Sequence, residues 1–222
     1  MTRTPRMTAL IGAAILAPPL LAAATVAPAH AAQTAPRAAV VAPAPSAEVA
    51  ATKSVSIKVQ KQQRDYWCAP AAGRALLSRL ISSGLPSQSK LAGYMGTKSS
   101  GTSNPGFRNG LRKALSTYGS GQYDVVALRP GSQSAFLTNV KAGVGSKKVA
   151  LAYRVLFGYK PWGSQVNNKT GHLMVVRGYT TGSGTKILWW DPWDNTYHTA
   201  SLAKSWASVK KGGRYGTVAA KS

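Results

Sequence analysis

The chain has 222 residues, of which 28 are Lys or Arg and five are Asp or Glu, so its net charge is +23. With 44% hydrophobic and 15% charged residues, the composition is typical of a folded domain, and the length suits a single one. A single cysteine excludes an intramolecular disulfide, and together with three histidines it leaves little material for a structural zinc site. The composition therefore excludes a disulfide-stapled miniprotein and a zinc finger.

The N-terminal segment has the features of a secretory signal. Two arginines lie within residues 1–6, residues 7–27 are almost wholly apolar, and Ala29-His30-Ala31 has the small-x-small pattern of a cleavage site. We expect residues 1–31 to be a signal peptide that is cleaved after Ala31. A transmembrane anchor is the alternative, but Pro18-Pro19 interrupts the apolar run. The mature protein is expected to be secreted and extracellular, with no membrane span.

Residues 32–52 are rich in Ala, Pro and Val, which predicts an extended linker or a short pro-segment. The folded domain is then expected over residues 53–222. Three arginines and Glu48 precede it, which leaves 25 basic and four acidic residues and a charge of +21 in the domain. The basic residues are dispersed and form no recognisable nucleic-acid module, so no specific nucleic-acid partner is expected. Attraction to anionic cell-envelope polymers is an open possibility.

The first half of the domain predicts mainly helices. A short strand is expected over residues 55–59, followed by a helix from Cys68 to Ile81 with apolar residues at helical spacing. A Gly/Ser-rich loop over residues 96–106 precedes a second amphipathic helix, and a third, short helix is expected over residues 134–144. The buried stripe of the second helix is expected to consist of Phe107, Leu111 and Leu115.

The second half changes to strand-like patterns. Residues 148–156, 171–179, 187–191 and 214–219 are rich in Val, Leu, Tyr and Trp, and the segment Thr181-Gly-Ser-Gly predicts a hairpin turn. Helices followed by strands predict an α+β domain, with helices packed on an antiparallel sheet.

The single cysteine lies at a position that favours chemistry. Cys68 stands at the predicted start of the first helix, where exposed N–H groups and the helix dipole stabilise a thiolate and lower the thiol pKa. An unpaired thiol in an exported protein is also exposed to oxidation, so its presence favours a functional role. A small buried hydrophobic side chain is the alternative interpretation.

Two further residues complete a possible thiol acyl-transfer site. His172 opens one strand and Asp191 ends the next strand of the same hairpin, so strand pairing brings their side chains together. A nucleophilic Cys, a basic His and an Asp that orients the imidazole are the parts that this reaction needs. Gln62, six residues before Cys68, is placed to donate its amide to the oxyanion beside the Cys68 backbone N–H. A packed strand histidine and an Asp-Pro turn cap are the alternatives for His172 and Asp191.

Other residues near this hairpin have structural interpretations. His198 lies on a polar stretch and is expected at the surface. Trp189, Trp190 and Trp193 are expected to pack in the core and the turn, with a hydrophobic rim of the cleft as the alternative.

The residues resemble a known family. Gln62-x5-Cys68-x-Pro70-Ala71, then Gly171-His172 before an apolar strand, then Asp191-Pro192 resemble the papain-like cysteine peptidases, in particular the branch similar to bacteriocin-processing (double-glycine leader) peptidases. The resemblance covers about residues 55–192. It implies a papain-like α+β fold and hydrolysis of peptide bonds through a thioester acyl-enzyme, with no metal or other cofactor.

The resemblance also implies residue roles. Cys68 is the nucleophile, His172 the base, Asp191 the orienting residue and Gln62 the oxyanion donor, with the adjacent Gln63 as a second candidate for that donor. The family usually has Gly after the nucleophile, whereas this chain has Ala69, which adds a methyl group beside the oxyanion position.

The sequence thus predicts a secreted, monomeric cysteine peptidase that acts on peptide or protein substrates. Three alternatives remain open. They are a cell-wall peptide amidase or endopeptidase, a transglutaminase-like thiol acyltransferase, and a non-catalytic basic protein that binds the cell envelope.

Overall fold

The computed structural model describes residues 51–163, 166–182 and 184–222. The expected signal peptide and nearly all of the expected linker therefore lie outside the described residues. Thr52, expected as the last linker residue, belongs to the first strand. The carbonyl of Ala51 accepts the backbone N–H of Thr181, and the N–H of Ala51 donates to the Thr181 hydroxyl. None of the helices in these ranges has the length and apolar character needed to cross a membrane.

The described residues form five α-helices and seven strands. The helices are α1 (Cys68–Leu77), α2 (Gln88–Met95), α3 (Asn104–Tyr118), α4 (Gln133–Val140) and α5 (Leu202–Lys211). The strands are β1 (Thr52–Ser54), β2 (Tyr123–Leu128), β3 (Leu151–Leu156), β4 (Gly171–Thr180), β5 (Lys186–Asp191), β6 (Thr196–Ser201) and β7 (Gly216–Lys221). A π-helical segment, Lys141–Ser146, continues α4, and a 3-10 turn, Phe157–Tyr159, follows β3.

The strands form one antiparallel sheet with the order β2-β7-β3-β4-β5-β6. Strand β4 is the longest and has three partners, because β3 pairs with its first half, β1 with its last residues and β5 with its middle and second half. The β4–β5 hairpin is the one predicted from the sequence. The α+β prediction, with helices packed on an antiparallel sheet, is confirmed.

Two groups of helices pack against this sheet. Helices α1, α2 and α3 contact one another, and α1 contacts β4, while α4 and α5 contact one another and α5 contacts β3, β5 and β6. The ring of Phe136 in α4 lies 5.0 Å from Tyr153 in β3 and 6.5 Å from Trp189 in β5, measured between centroids. Trp189 and Trp190 are both fully buried, so the prediction that they pack in the core is confirmed.

Several predicted elements have different limits in the structure. The segment 55–59 is extended chain rather than a strand, since β1 ends at Ser54 and Val55 adds one backbone bond to Arg177. Helix α1 ends at Leu77 instead of Ile81, where the backbone tightens into i→i+3 bonds. Helix α3 begins inside the predicted loop, because Ser103 caps its first turn; its predicted buried stripe is confirmed.

Four elements were not predicted: α2, β2, β6 and α5. Both helices carry recognisable end signals, since Ser87 and Ser201 accept hydrogen bonds from the first turns of α2 and α5, and Gly96 and Gly212 follow their last residues. Helix α2 is only eight residues long and weakly amphipathic, so its end signals are stronger than its apolar pattern. Helix α5 is as amphipathic as α3, so its apolar pattern could also have located it.

The contact between α2 and α3 is close because of a glycine. A Cβ atom at Gly110 of α3 would overlap the side chain of Met95 and lie 3.0 Å from its backbone nitrogen. Gly93 of α2 has the same helical setting, but a Cβ atom placed there would have no neighbouring atom within 4 Å. These two glycines therefore differ in packing and not in secondary structure.

We expect the two Gly→Ala substitutions to have opposite effects on stability. Gly110→Ala should lower the free energy of unfolding by about 1–3 kcal/mol, because the methyl group forces α2 and α3 apart. Gly93→Ala should raise it by about 0.5–1 kcal/mol, because it restricts the unfolded chain and improves helix propensity. Urea denaturation followed by circular dichroism measures both, and a shift in the same direction for both variants would contradict this account.

Candidate active site

The thiol of Cys68 is presented by the start of a helix. Cys68 is the first residue of α1, is half-buried, and lines a cleft of about 480 Å³. The N-cap residue, Trp67, makes no side-chain hydrogen bond to the first turn of α1, a segment that the structure describes in full. That first turn also contains no acidic residue. The first N–H groups of α1 are therefore available to an anion. The backbone N–H groups of Ala69 in α1 and of Leu173 in β4 favour the thiolate form of Cys68.

The imidazole and the carboxylate meet because β4 and β5 pair. His172 is the second residue of β4 and Asp191 the last residue of β5, and Nε2 of His172 lies 2.6 Å from Oδ1 of Asp191. Both side chains are buried. Because the carboxylate occupies Nε2, Nδ1 is the ring nitrogen left to face Cys68, with which His172 shares a hydrogen bond. The structure thus brings the three predicted residues together.

The carboxylate of Asp191 contacts three groups: the imidazole of His172, the backbone N–H of Trp193 and the ammonium of Lys160. Oδ1 also accepts the backbone N–H of Trp193 at 2.9 Å, and Nζ of Lys160 lies 3.2 Å from Oδ2. The backbone carbonyl of Asp191 accepts the N–H of Asn195. The turn-capping interpretation and the imidazole-orienting one therefore both hold for this residue, since one carboxylate makes both contacts.

The contacts shift the pKa values of all three groups. Burial raises the pKa of Cys68, but the hydrogen bond and charge of His172, with two backbone N–H groups, outweigh it and hold the pKa below its ordinary value. Burial lowers the pKa of His172, but Asp191 and Cys68 outweigh it and raise that pKa to about 9. Burial raises the pKa of Asp191, but His172, the N–H of Trp193 and Lys160 outweigh it and lower that pKa to about 2. At neutral pH the ring of His172 is therefore an imidazolium and Asp191 a carboxylate, and the imidazolium favours the thiolate form of Cys68.

Gln62 is close to this group but differs from the prediction in its contacts. Its Nε2 donates both hydrogens to backbone carbonyls, those of Arg64 and Asp65, each at 2.9 Å. Its backbone N–H binds the carbonyl of Pro192, directly after Asp191. The amide thus holds the loop that leads into α1 and does not point a free N–H at the oxyanion position. The second candidate, Gln63, is exposed.

Gln88 is a buried polar residue near the site that the sequence analysis missed. Its side chain is fully buried in the first turn of α2, where Oε1 accepts the N–H of Gln63 at 3.1 Å and Nε2 donates to the carbonyl of Lys61 at 2.8 Å. It therefore fixes the segment around Gln62 from the other side. The capping serine before it, Ser87, was the signal that would have located this helix.

Aromatic side chains cover the imidazole. The ring of Phe157 stands edge-on to His172 at 5.4 Å and to Trp193 at 5.0 Å between centroids. Trp193 is 39% exposed and lines the cleft, so the rim interpretation applies to it and the core interpretation to its two neighbours. His198 is half-buried rather than at the surface, because its ring stacks on Trp162 at 3.8 Å.

One group of possible metal ligands lies nearby. Ligand atoms of Asp191, Asp194 and His198 lie within 4.8 Å of one another. Asp191 is already neutralised by His172 and Lys160, so a cation would have to compete with both for its oxygens. This group therefore carries no metal assignment.

A second cavity of about 160 Å³ adjoins the main cleft. The two cavities share Cys68 and His172, and the smaller one is also lined by Ala69 and Arg154. Ala69 is buried, and the first turn of α1 accommodates its methyl group. Together the two cavities form a groove whose shared lining includes the thiol of Cys68.

Comparison with known proteins agrees with this geometry. A family model described as "Peptidase_C39 like family" matches residues 52–213. Among solved structures, the fold is similar to the peptidase domain of Streptococcus ComA, a bi-functional ABC transporter involved in a quorum-sensing pathway. That match has a TM-score of 0.53 and 12% identity, and covers 75% of this chain and 100% of the other. The predicted papain-like α+β fold is confirmed. A search of curated proteins finds no match.

We expect alkylation of Cys68 to report the ion pair directly, because the chain has no other cysteine. Wild-type protein should react with iodoacetamide well below the pKa of an ordinary thiol. In His172→Ala the thiolate loses its partner while burial remains, so the rate at pH 6 should fall roughly a hundredfold. His198→Ala is the matched control and should leave the rate unchanged; equal rates in wild type and His172→Ala would disprove the ion pair.

The rates of hydrolysis and of Cys68 alkylation should respond differently to high pH. Above about pH 9, His172 loses its proton, so hydrolysis should decline because the leaving amine has no acid to protonate it, whereas the thiolate should still be alkylated. A pH profile of both rates on the same preparation measures this difference.

Proposed function

The chain belongs to the peptidase C39-like family, and we propose that it is a secreted peptidase in which Cys68, His172 and Asp191 perform the hydrolysis. The protein is a cysteine peptidase, as its family indicates. The observation that carries the residue assignment is the contact of a helix-start thiol with a buried His–Asp pair in an open cleft.

The first half of the reaction forms a thioester. The Cys68 thiolate attacks the carbonyl carbon of the scissile bond, and the carbonyl electron pair moves to the oxygen. The backbone N–H of Cys68, at the free end of α1, stabilises that oxyanion. When the C–N bond breaks, the His172 imidazolium transfers its proton to the leaving amine, and the acyl group stays on the sulfur.

The second half releases the acyl group. Neutral His172 now accepts a proton from water, and the resulting hydroxide attacks the thioester carbonyl. The C–S bond breaks, which restores the thiolate beside an imidazolium. Asp191 stays ionised in both halves and keeps the imidazole oriented through Nε2.

Gln62 is proposed as the second oxyanion donor. Because Nε2 already binds two carbonyls, this role requires one of those bonds to be exchanged for the oxyanion when substrate binds. The carbonyls of Arg64 and Asp65 belong to a loop beside the cleft, and Asp65 lines the cleft itself. Gln62→Ala should then lower kcat about a hundredfold and change KM much less.

The size of the cleft and the positive charge of the domain favour two kinds of partner. A groove of this size suits a segment of a peptide or protein substrate bound by one copy of the chain. The domain charge of +21, with only four acidic side chains, supports attraction to anionic cell-envelope polymers. That attraction is electrostatic and should weaken as salt increases.

Export should remove the first 31 residues. If the N-terminal segment is a signal peptide, protein recovered from the culture medium of an expressing bacterium should begin at Ala32. N-terminal sequencing or intact mass measures this. Replacing Ala29 and Ala31 by bulky residues should keep the full chain with the cells, and a full-length chain in the medium would refute the cleavage site.

Peptide hydrolysis should depend on Cys68 and His172. The purified mature protein should cleave members of a broad peptide library, and Cys68→Ala or His172→Ala should lower kcat/KM by at least about 10⁴-fold. Cell-wall fragments and added amines, offered in parallel, separate amidase and acyltransferase activities from hydrolysis. Equal behaviour of wild type and both variants would remove the enzymatic assignment and favour a binding role.

A further inference from the structure

The smaller cavity beside the thiol holds an arginine that the reaction does not use. Arg154 of β3 lines this cavity together with Cys68 and His172. It is the one Lys or Arg residue in that lining. The neighbouring cavity, which shares Asn104 and Leu173 with it, adds a second arginine, Arg108.

The guanidinium of Arg154 is held in place by one hydrogen bond, and its other N–H groups can bind a ligand. Its Nη1 donates to the carbonyl of Gly212, after the last residue of α5, at 3.2 Å. A Cβ atom at Gly171 would lie 2.7 Å from Nε and 2.8 Å from Nη2, so the guanidinium rests against the residue before His172. Within residues 51–163, 166–182 and 184–222, every ion pair uses another cation, namely Lys160, His172 or His198. Arg154 thus has no carboxylate partner in the described part of the chain.

The two ends of the groove differ in chemistry. The larger cavity has aromatic walls formed by Tyr66, Phe157 and Trp193, and Asp65 is its acidic residue. The smaller cavity combines Arg154 with small polar side chains such as Thr102 and Asn104. A planar guanidinium with unused N–H groups matches a carboxylate, to which it can donate two parallel hydrogen bonds.

We propose that Arg154 is a specificity-determining residue, which binds a carboxylate of the substrate within a few residues of the scissile bond. The inference rests on the proposed peptidase function and assigns its substrate class, a peptide that is acidic at this end of the groove. Two sources can supply that carboxylate: an Asp or Glu side chain, or the C-terminus of the peptide. An arginine that only caps the C-terminal end of α5 would give no such preference.

The experiment begins with a neutral peptide that the wild-type enzyme cleaves. Asp, Asn and Lys are placed in turn at each of three positions on both sides of the cleaved bond, and a second series compares a free with an amidated C-terminus. At one position, Asp should exceed Asn in kcat/KM by at least about tenfold, and Lys should be poorest. If only the free C-terminus gives the effect, the terminal carboxylate is the ligand.

Variants connect the preference to the residue. Arg154→Gln should reduce the Asp-to-Asn ratio to near one while cleavage of the neutral peptide persists, and Arg154→Glu should favour Lys over Asp. Arg79→Gln is the matched control, because Arg79 also donates to a backbone carbonyl, that of Lys148, but lies outside the groove. It should keep the wild-type ratio. Melting temperatures of all variants show whether a lost preference accompanies a lost fold.

The outcomes are distinguishable. If wild type cleaves peptides but does not favour a carboxylate at any position, or if Arg154→Gln keeps the full preference, the assignment of Arg154 is wrong and the peptidase function stands. The wild-type series alone decides this if the variants fail to fold. If wild type cleaves no peptide under any condition, the proposed function fails and this inference fails with it.

Discussion

The buried hydrogen bond between Nε2 of His172 and Oδ1 of Asp191 is the contact on which the rest of the site depends. It fixes the orientation of the imidazole and leaves Nδ1 for the sulfur of Cys68. It also provides the negative charge that keeps the ring protonated in a buried position, where desolvation alone would favour the neutral form. Without it, the thiol would have a nearby ring but no stable cation.

Burying charge is costly, and this site limits the cost by alternating signs. The sulfur of Cys68, the imidazole of His172, the carboxylate of Asp191 and the ammonium of Lys160 follow one another as negative, positive, negative and positive. Each charge thus has a neighbour of opposite sign. The last group of this series, the ammonium of Lys160, is partly exposed to water. An isolated buried ion of any of these types would instead neutralise itself by shifting its pKa. The alternation is therefore the reason the thiolate can persist at a half-buried position.

The parts of the fold that could be predicted are those with local signals. The helix start at Cys68 follows from apolar periodicity and a tolerated proline, and the meeting of His172 with Asp191 follows from one hairpin. The half-exposed strands β2 and β6 and the short helix α2 have weak apolar patterns. Helices α2 and α5 carry further signals, which are their capping serines and the glycines that follow them.

The contacts that surround Cys68, His172 and Asp191 could not be predicted, because they join residues far apart in sequence. Lys160 reaches Asp191 across 31 residues, and Arg154 reaches the carbonyl of Gly212 across 58. The contacts of Gln62 could not be predicted either, although its partners are close in sequence. Its position before Cys68 predicted a donor, but the two carbonyls that occupy its amide depend on how the loop between them folds.

The proposed catalytic residues and the walls of the cleft belong to different kinds of structure. Cys68, His172 and Asp191 stand at the ends of a helix and two paired strands, so their geometry is set by strand register and helix packing. The cleft walls come largely from connecting segments, such as residues 99–101 and the stretch around Phe157. A register shift of one residue would turn His172 away from Asp191, whereas a wall residue can change without moving either. A framework set by strand register and helix packing can be shared at 12% identity, as the match to the ComA peptidase domain shows for the fold.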